Sequence, residues 1–289
     1  KNGLILGVGG YCVYVIGFLL AVLIADVHTR WAIYVSTSII GGMSGGLLWT
    51  AQGRYFARNS KVYADEMDLA VETTNASLAG IFAACYLGLE VLTKVIATCV
   101  FIADEDSAPP IIFTIYTGIA FLAVFFITRL DDLHDEGTWD FDSASVLKNS
   151  LAAGSMLVSE PRLSLLVPFQ FAFGFVSSFM NFHVFGTVVA DSEHLGGTYI
   201  GLLSAIIALT GALTAVPAGM LAKEVGKAPL MTVGGLCFAL VGAAFLPGSL
   251  GDRLGTWKLI VPFLIMFGVG RGKWEIFRFH CALCLSSLC

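Results

Sequence analysis

Val8-Gly9-Gly10-Tyr11-Cys12 lies in an apolar stretch that covers residues 4–25, and the similar segment Val233-Gly234-Gly235-Leu236-Cys237 lies in another apolar stretch near the far end of the chain. A helix needs roughly 20 apolar residues to cross a hydrocarbon core about 30 Å thick. Eight stretches of the chain are close to this length, so the sequence predicts eight membrane-spanning helices. They cover residues 4–25, 31–51, 76–103, 111–128, 163–190, 199–222, 229–246 and 257–270.

The composition indicates the same class of protein. Of the 289 residues, 57% are hydrophobic and 13% are charged, and the mean hydropathy is +0.83. Soluble domains carry about 25% charged residues, so these values exclude a water-soluble domain, and they also exclude a disordered chain. The net charge of -5 comes without the basic patch that nucleic-acid binding requires. We therefore expect a lipid bilayer around the chain and no nucleic acid among its partners.

The polar segment of residues 129–162 is expected to link two helical halves. It includes seven acids and three bases, and four predicted spans lie on either side of it. With this linker in the cytoplasm, twelve Lys and Arg residues, Arg271 among them, fall on the cytoplasmic side and three on the other side, while Lys94 lies inside the membrane. Because cytoplasmic loops carry the excess of positive charge, this orientation is the predicted one. The predicted domains are residues 1–128, the cytoplasmic linker 129–162, residues 163–275 and an atypical tail at 276–289.

The internal repeat predicts how the halves are arranged. Trp31 opens the second span as Trp257 opens the eighth, and Trp49 and Trp274 are separated by nearly the same interval as the two Val-Gly-Gly segments. The first span thus corresponds to the seventh and the second to the eighth, which gives a period of six helices. Six-helix halves in one orientation are the arrangement of major facilitator transporters. The predicted fold is an all-α, polytopic transmembrane bundle of this type with two pseudo-symmetric halves. It is expected to be incomplete, with helices three to ten of the full order.

Three motifs carry a family resemblance. The segment Gly46-Leu47-Leu48-Trp49-Thr50-Ala51-Gln52-Gly53-Arg54-Tyr55 resembles the signature that follows the fourth helix of Unc-93-like proteins, a branch of the major facilitator superfamily. Gly7-Val8-Gly9-Gly10-Tyr11 is similar to the start of the third helix of that family, and Phe267-Gly268-Val269-Gly270-Arg271-Gly272-Lys273-Trp274-Glu275 is similar to its tenth. The resemblance implies an accessory subunit or trafficking partner that regulates an ion channel or a receptor.

Glu90 and Lys94 are the clearest candidates for function within the third span. They are four residues apart, hence on one helix face, and the acid precedes the base, which is the favourable order. Charge inside a membrane is costly and usually faces a partner or a cavity. The pair either neutralises itself and packs the bundle, or it acts as a proton or ion relay or as half of a contact between the bundles. In the second case Glu90 is the protonatable member.

Polar residues also mark one face of the fifth span. Gln170, Ser177 and Asn181 are separated by seven and four residues and therefore share a helix face. Such a face fits a solvated cavity and equally fits interhelical hydrogen bonds. By the internal repeat this span is helix seven, and the resemblance implies that it lines the central cavity together with helices one, four and ten.

Two tryptophans are predicted at equivalent places near the cytoplasmic ends of their helices. Trp49 and Trp274 either anchor the helices in the aromatic belt of the membrane or form a paired gate at the floor of the cavity. Gln52 and Arg54 follow Trp49 in the sequence and complete this candidate gate. Arg54 is expected to extend its charge to the interface.

Two functions stay open from the sequence. The chain has no phosphate-binding G-x-x-x-x-G-K-[ST] motif and no H-E-x-x-H motif, so we expect no enzyme activity, no cofactor and no metal site. The first function is regulation of an ion channel or receptor, as the family resemblance implies. The alternative is secondary active transport of a small solute by alternating access, with proton coupling through Glu90.

Overall fold

The computed structural model describes residues 1–130, 159, 166–245 and 256–286, and its regular structure within these ranges is helical. Within these ranges eight long helices follow one another, and the fifth changes from α to π geometry at Met180. They are α1 (Asn2–Leu23), α2 (Val27–Glu66), α3 (Val71–Ala103), α4 (Ala108–Thr128), α5 (Leu166–Phe179, continued by the π-helix Met180–Val189), α6 (Ile200–Val225, after the 3₁₀ turn Gly197–Tyr199), α7 (Lys227–Ala244) and α8 (Trp257–Ser286).

The prediction of a multi-pass, all-α membrane protein is confirmed. A helix lies at each of the eight predicted positions. Six helices in the described part of the chain are long and apolar enough to cross a membrane. The seventh position holds the shorter apolar helix Ala228–Ala244, and α8 carries Arg271, Lys273 and Glu275 from its midpoint onward. Of the predicted linker at 129–162, only residues 129, 130 and 159 are described, so this prediction lies largely outside the described residues.

Helix α2 extends far beyond the predicted span at 31–51. It has 40 residues, which makes it about 60 Å long at a rise of about 1.5 Å per residue, twice the thickness of the hydrocarbon core. Its second half carries polar side chains on one side and buries small residues every three or four positions on the other, so packing sustains the helix beyond the predicted span. These buried residues are Gly53, Ala57, Ser60 and Ala64. Phe56 on this part of α2 contacts Phe82 of α3 at a ring-centroid distance of 5.9 Å.

Small residues bring α3, α6 and α8 close together. A Cβ atom added to Gly219 of α6 would lie 3.1 Å from the carbonyl oxygen of Ala76 in α3. A Cβ added to Gly268 of α8 would lie 2.6 Å from the carbonyl oxygen of Ile207, and one added to Gly272 would lie 2.6 Å from that of Gly211. Helices in membranes gain van der Waals contact when such residues allow their backbones to approach. Helix α6 is therefore held between α3 and α8.

The glycines of α2 that correspond to those of α8 are in a different situation. Gly42 is separated from Gly268, and Gly46 from Gly272, by the interval of the internal repeat. Among the described residues, no atom apart from the chain neighbours and the adjoining backbone of α2 lies within 4 Å of a Cβ added to Gly42 or to Gly46. The two pairs of glycines thus differ in packing while they match in sequence position. The internal repeat itself stays a prediction.

The turn between α1 and α2 is closed by two side chains. The backbone N–H of Thr29 donates to Asp26 Oδ2 at 2.7 Å and caps the start of α2. Arg30 donates through Nε and Nη2 to the carbonyl oxygen of Ile24 at 3.0 and 2.7 Å, just after the last residue of α1. Hydrogen bonds from the side chain and the backbone of Thr29 hold the pKa of Asp26 below its ordinary value.

Candidate functional site

Glu90 lies in the middle of α3 and binds two cations at once. Lys94, one turn further along α3, places its Nζ atom 2.6 Å from Glu90 Oε1. Arg271 of α8 donates from Nη1 to Oε1 at 2.8 Å and from Nη2 to Oε2 at 2.6 Å. This two-bonded geometry is the strong form of an arginine–carboxylate contact, because both N–H groups of the fork are used. Through its bonds to Arg271, Glu90 therefore also links the first half of the chain to the second.

The cluster extends beyond Glu90 and is neutral in sum. Lys94 Nζ also donates to the carbonyl oxygen of Ser204 in α6 at 3.4 Å, and Arg271 Nε lies 4.0 Å from Glu275 Oε1, one turn further along α8. Lys94, Glu90, Arg271 and Glu275 thus form a row of alternating charges, two positive and two negative. Because an unpaired charge away from water is expensive, the alternation allows all four groups to stay ionised inside the bundle.

The place of Arg271 corrects the sequence analysis, which counted this residue among the cytoplasmic charges. Its side chain is only 16% exposed and is bound to Glu90. The predicted eighth span ended at residue 270, but α8 continues to Ser286, so Arg271 lies within the helix, about 21 Å from Trp257 at the rise of an α-helix. The predicted span at 257–270 was shorter than the roughly 20 residues that a bilayer requires, and this shortfall was the signal for a longer helix. Without Arg271, the predicted orientation rests on eleven charges against three.

A cavity of about 360 Å³ opens beside the charged cluster, between α3, α5, α6 and α8. Four of the five predicted polar-site residues, Glu90, Lys94, Ser177 and Asn181, line it together. The fifth, Gln170, lies in α5, and its side chain is outside the described residues. Residues that were not among the predicted polar-site residues complete the wall. They are Tyr86 from α3, Phe173, Met180 and Phe185 from α5 and the π-helix, Ser204 and Ile207 from α6, and Phe267, Arg271 and Glu275 from α8.

The change to π geometry keeps one row of side chains on the cavity wall. Phe173, Ser177, Asn181 and Phe185 follow one another at intervals of four residues, and all four line the cavity. In an α-helix each such step turns the side chain by about 40° around the axis, because four residues exceed the 3.6 of one turn. The π-helix Met180–Val189 has more residues in each turn. Four residues there fall short of a full turn, so the side chain rotates about the axis in the opposite sense. Phe185 therefore faces the same cavity as Phe173, three steps away.

Each of the two candidate gate tryptophans contacts an aromatic residue that lines the cavity. Trp274 is 3% exposed and stacks on Phe173 with a centroid distance of 4.5 Å and an interplanar angle of 9°. Its burial is unlike that of an aromatic-belt anchor, which lies at the lipid interface. Trp49 is half-buried and meets Tyr86 edge to face at 5.8 Å. Gln52 is half-buried and Arg54 is exposed. That these four residues act as a gate stays a prediction.

Among the residues that the structure describes, no three His, Cys, Asp or Glu side chains are grouped in a way that would hold a metal ion. The free thiols of Cys12, Cys85, Cys99 and Cys237 lie in separate places along α1, α3 and α7. The chemistry of the cavity is thus that of its ion pairs, hydroxyl and amide groups and aromatic rings.

Comparison with known proteins places this chain in a family. The family model described as "Ion channel regulatory protein UNC-93" matches residues 1–246, more than four fifths of the chain. The chain belongs to the UNC-93 family. This confirms the Unc-93-like resemblance, and the motifs at Gly7–Tyr11 and Gly46–Tyr55 lie within the matched residues.

Curated relatives agree with the family match. The protein unc-93 homolog A of Mus musculus is 24% identical over 78% of this chain and 56% of its own length. The homologue of the same name in Danio rerio is 24% identical over 95% of this chain and 62% of its own length. The chain therefore spans little more than half the length of these UNC-93 relatives. No solved structure matches it, and the major-facilitator arrangement stays a prediction.

Proposed function

We propose that this UNC-93 protein regulates an ion channel in the membrane in which it resides, as an accessory subunit or trafficking partner. The observation that carries the proposal is the match of residues 1–246 to a family described as regulating ion channels. The charged cluster supports it from the structural side. Each ionised group in the row from Lys94 to Glu275 has an opposite charge beside it. These charges are therefore balanced within the described helices, and the outer faces of the helices are left for contact with lipid or with another membrane protein.

The test is electrophysiological. The full-length protein is co-expressed with potassium, sodium and calcium channels one at a time, and current density and channel abundance at the cell surface are measured. We expect at least one channel to change its current and to co-purify with the protein in mild detergent. Arg271→Gln, which breaks the contact between the halves, should weaken the effect at equal expression, and Lys61→Gln on the exposed side of α2 serves as its control. If no channel changes its current and none co-purifies, the proposal is wrong.

The cavity favours a second candidate function, secondary transport of a small solute by alternating access. Its wall takes residues from both halves of the chain, with Glu90 and Lys94 on α3 and Arg271 on α8. Ion pairs between halves are suited to a site that opens alternately to either side, because they break and form without a change in total charge. Glu90 is the group in this candidate that would exchange a proton.

Transport is tested in proteoliposomes that hold the full-length protein. Proton uptake is recorded with an internal pH dye while mixtures of small solutes are added outside. In this candidate, one class of solute should drive proton movement, and Glu90→Gln should abolish it. Glu105→Gln in the exposed turn between α3 and α4 should leave it intact. Equal signals from the wild type, Glu90→Gln and empty liposomes would rule the candidate out.

A further inference from the structure

Two cations in the cavity wall converge on one carboxylate, which is the arrangement of an anion-binding site. The Arg271 fork donates to both oxygens of Glu90 at 2.8 and 2.6 Å, and Lys94 Nζ lies 2.6 Å from Oε1. Here the bound anion is a side chain of the protein itself. Glu90 is 19% exposed and borders the cavity of about 360 Å³, so a second carboxylate in the cavity would approach the same two cations.

The charges around Glu90 decide the condition under which such an anion binds. Lys94 and Tyr86 face it from α3, and Arg271 and Glu275 face it from α8. The other walls offer the uncharged groups of Ser177 and Asn181 from α5 and its π-helix and of Ser204 from α6. The sum is zero with all acids ionised, so an added anion would leave one excess negative charge away from water, which is costly. A proton on Glu90 removes that excess and releases both cations.

We propose that the cavity binds a small organic acid, whose carboxylate takes the place of Glu90 on Arg271 and Lys94 while Glu90 takes up one proton from solvent. The O–H bond of the protonated Glu90 is the one covalent bond that forms, and anion and proton together add no net charge to the cavity. The apolar part of the acid would lie against Phe173, Phe185 and Phe267, which line the same cavity. A volume of about 360 Å³ is at the small end of the range for ligand pockets, so the acid is a compact one.

The inference rests on the cavity alone, and it requires neither ion-channel regulation nor transport. It adds a ligand class to the site that the transport candidate would use. Because its test measures equilibrium binding, a failure there leaves the current measurements and the flux measurements to be judged separately.

The test uses the purified full-length protein in lipid nanodiscs with three probes of similar size: benzoate, benzamide and the benzylammonium ion. Binding is followed by the shift in melting temperature and by tryptophan fluorescence, since Trp274 stacks on the cavity residue Phe173. Benzoate should bind, and the two other probes should not. Its dissociation constant should rise about tenfold per pH unit in the range where Glu90 is ionised, because one proton is taken up with each anion. Benzamide binding as tightly as benzoate, or benzoate binding without pH dependence, would overturn the proposal.

Two variants separate an anion site from a structural contact. Glu90→Gln removes the competing carboxylate, so benzoate should bind more tightly at neutral pH and without pH dependence. Arg271→Gln should weaken benzoate at least about tenfold, as expected for the loss of a charge-assisted hydrogen bond, while Lys61→Gln leaves the affinity unchanged. If Arg271→Gln does not fold, the gain in Glu90→Gln still decides. A weaker affinity of Glu90→Gln for benzoate would contradict the proposal.

Discussion

At the residue scale, Arg271 and Lys94 bind the Glu90 carboxylate in different ways. Arg271 meets it with two hydrogen bonds from a separate helix, whereas Lys94 meets it from the next turn of α3 with one. All three side chains are largely shielded from water, with exposures between 16% and 24%. The loss of either cation leaves the Glu90 carboxylate with one cationic partner, but the loss of Arg271 removes more bonds and also a contact between helices.

This difference predicts an order of stability. Arg271→Gln should lower the free energy of unfolding by roughly 3–5 kcal/mol, the cost of leaving a buried charge without its main partner. Lys94→Gln should cost clearly less, and Lys61→Gln on the surface of α2 should stay within about 0.5 kcal/mol. The measurement is reversible unfolding in detergent followed by far-UV circular dichroism.

The double variant Glu90→Gln/Arg271→Gln checks whether the bond itself is responsible. Its loss of stability should be smaller than the sum of the two single losses, because the second substitution removes the charge that the first substitution leaves without its partner. Strictly additive losses would mean that the two residues contribute independently, contrary to the geometry.

Sequence reasoning found one half of this site and missed the other for a physical reason. Glu90 and Lys94 are four residues apart, and helical periodicity alone puts them together. Glu90 and Arg271 are 181 residues apart, and only the packing of α3 and α8 brings them into contact. The same holds for Ser177 and Asn181, whose common face was predictable, while the cavity that the face borders is formed by three other helices.

At the element scale, the helices themselves were predictable because hydropathy is a local property of the chain. The ends of α2 and α8 were not, because polar residues continue both helices beyond the apolar stretches, to Glu66 and Ser286. The π-helix Met180–Val189 has no apolar pattern of its own, so the sequence predicted one continuous α-helix there. The carbonyl oxygens that Gly268 and Gly272 approach were likewise visible only in the structure.

The glycine contacts of α8 provide a matched pair of substitutions. Gly272→Ala places a methyl group against the carbonyl oxygen of Gly211, at 2.6 Å in the present backbone, so α6 and α8 must separate. We expect a loss of about 1–3 kcal/mol, typical of overpacking. Gly46→Ala, at the corresponding position of α2, meets no described atom within 4 Å. It should stabilise by up to about 1 kcal/mol through helix propensity.

Melting temperatures of the two purified alanine variants provide the measurement. Equal shifts in both would show that α6 and α8 do not approach as closely at Gly272 as the structure indicates. An alanine at Gly9, another glycine with open space around it among the described residues, extends the comparison to α1.

The N-terminal cap of α2 formed by Asp26 should lose its stabilising effect at low pH. Because hydrogen bonds from Thr29 lower the pKa of Asp26 in the folded state, the cap contributes stability above the ordinary pKa range of aspartate, about 3.9. It loses that contribution as the pH falls through the lower folded value. Hydrogen exchange at the first turn of α2, corrected for intrinsic rates, should therefore accelerate below about pH 4. Asp26→Asn keeps an uncharged acceptor and should remove this pH dependence; an unchanged acid response in that variant would contradict the assignment.

At the scale of the whole molecule, the predicted orientation is open to a direct test. In a variant without native cysteines, Asp106→Cys in the turn between α3 and α4 should react with a membrane-impermeant maleimide added to intact cells. Glu66→Cys at the end of α2 should react only after permeabilisation. Both positions are exposed in the structure, so access is limited by the membrane alone. The reverse pattern would place the segment 129–162 outside the cell, and labelling of both from one side would contradict the count of spans.

The length of α2 has a mechanical consequence. From Ala51 to Glu66 the helix runs for about 22 Å beyond the predicted membrane span, and the ring contact between Phe56 and Phe82 ties it to α3, the helix that carries Glu90. The two helices are therefore in contact in the part of α2 that extends beyond the predicted span. A rocking of about 10° at the level of the cavity would sweep the far tip of α2 through about 4 Å, by the geometry of a rod of that length. A partner bound at the tip of α2 would therefore be displaced further than one bound next to the predicted span, if the helix tilted as a rod.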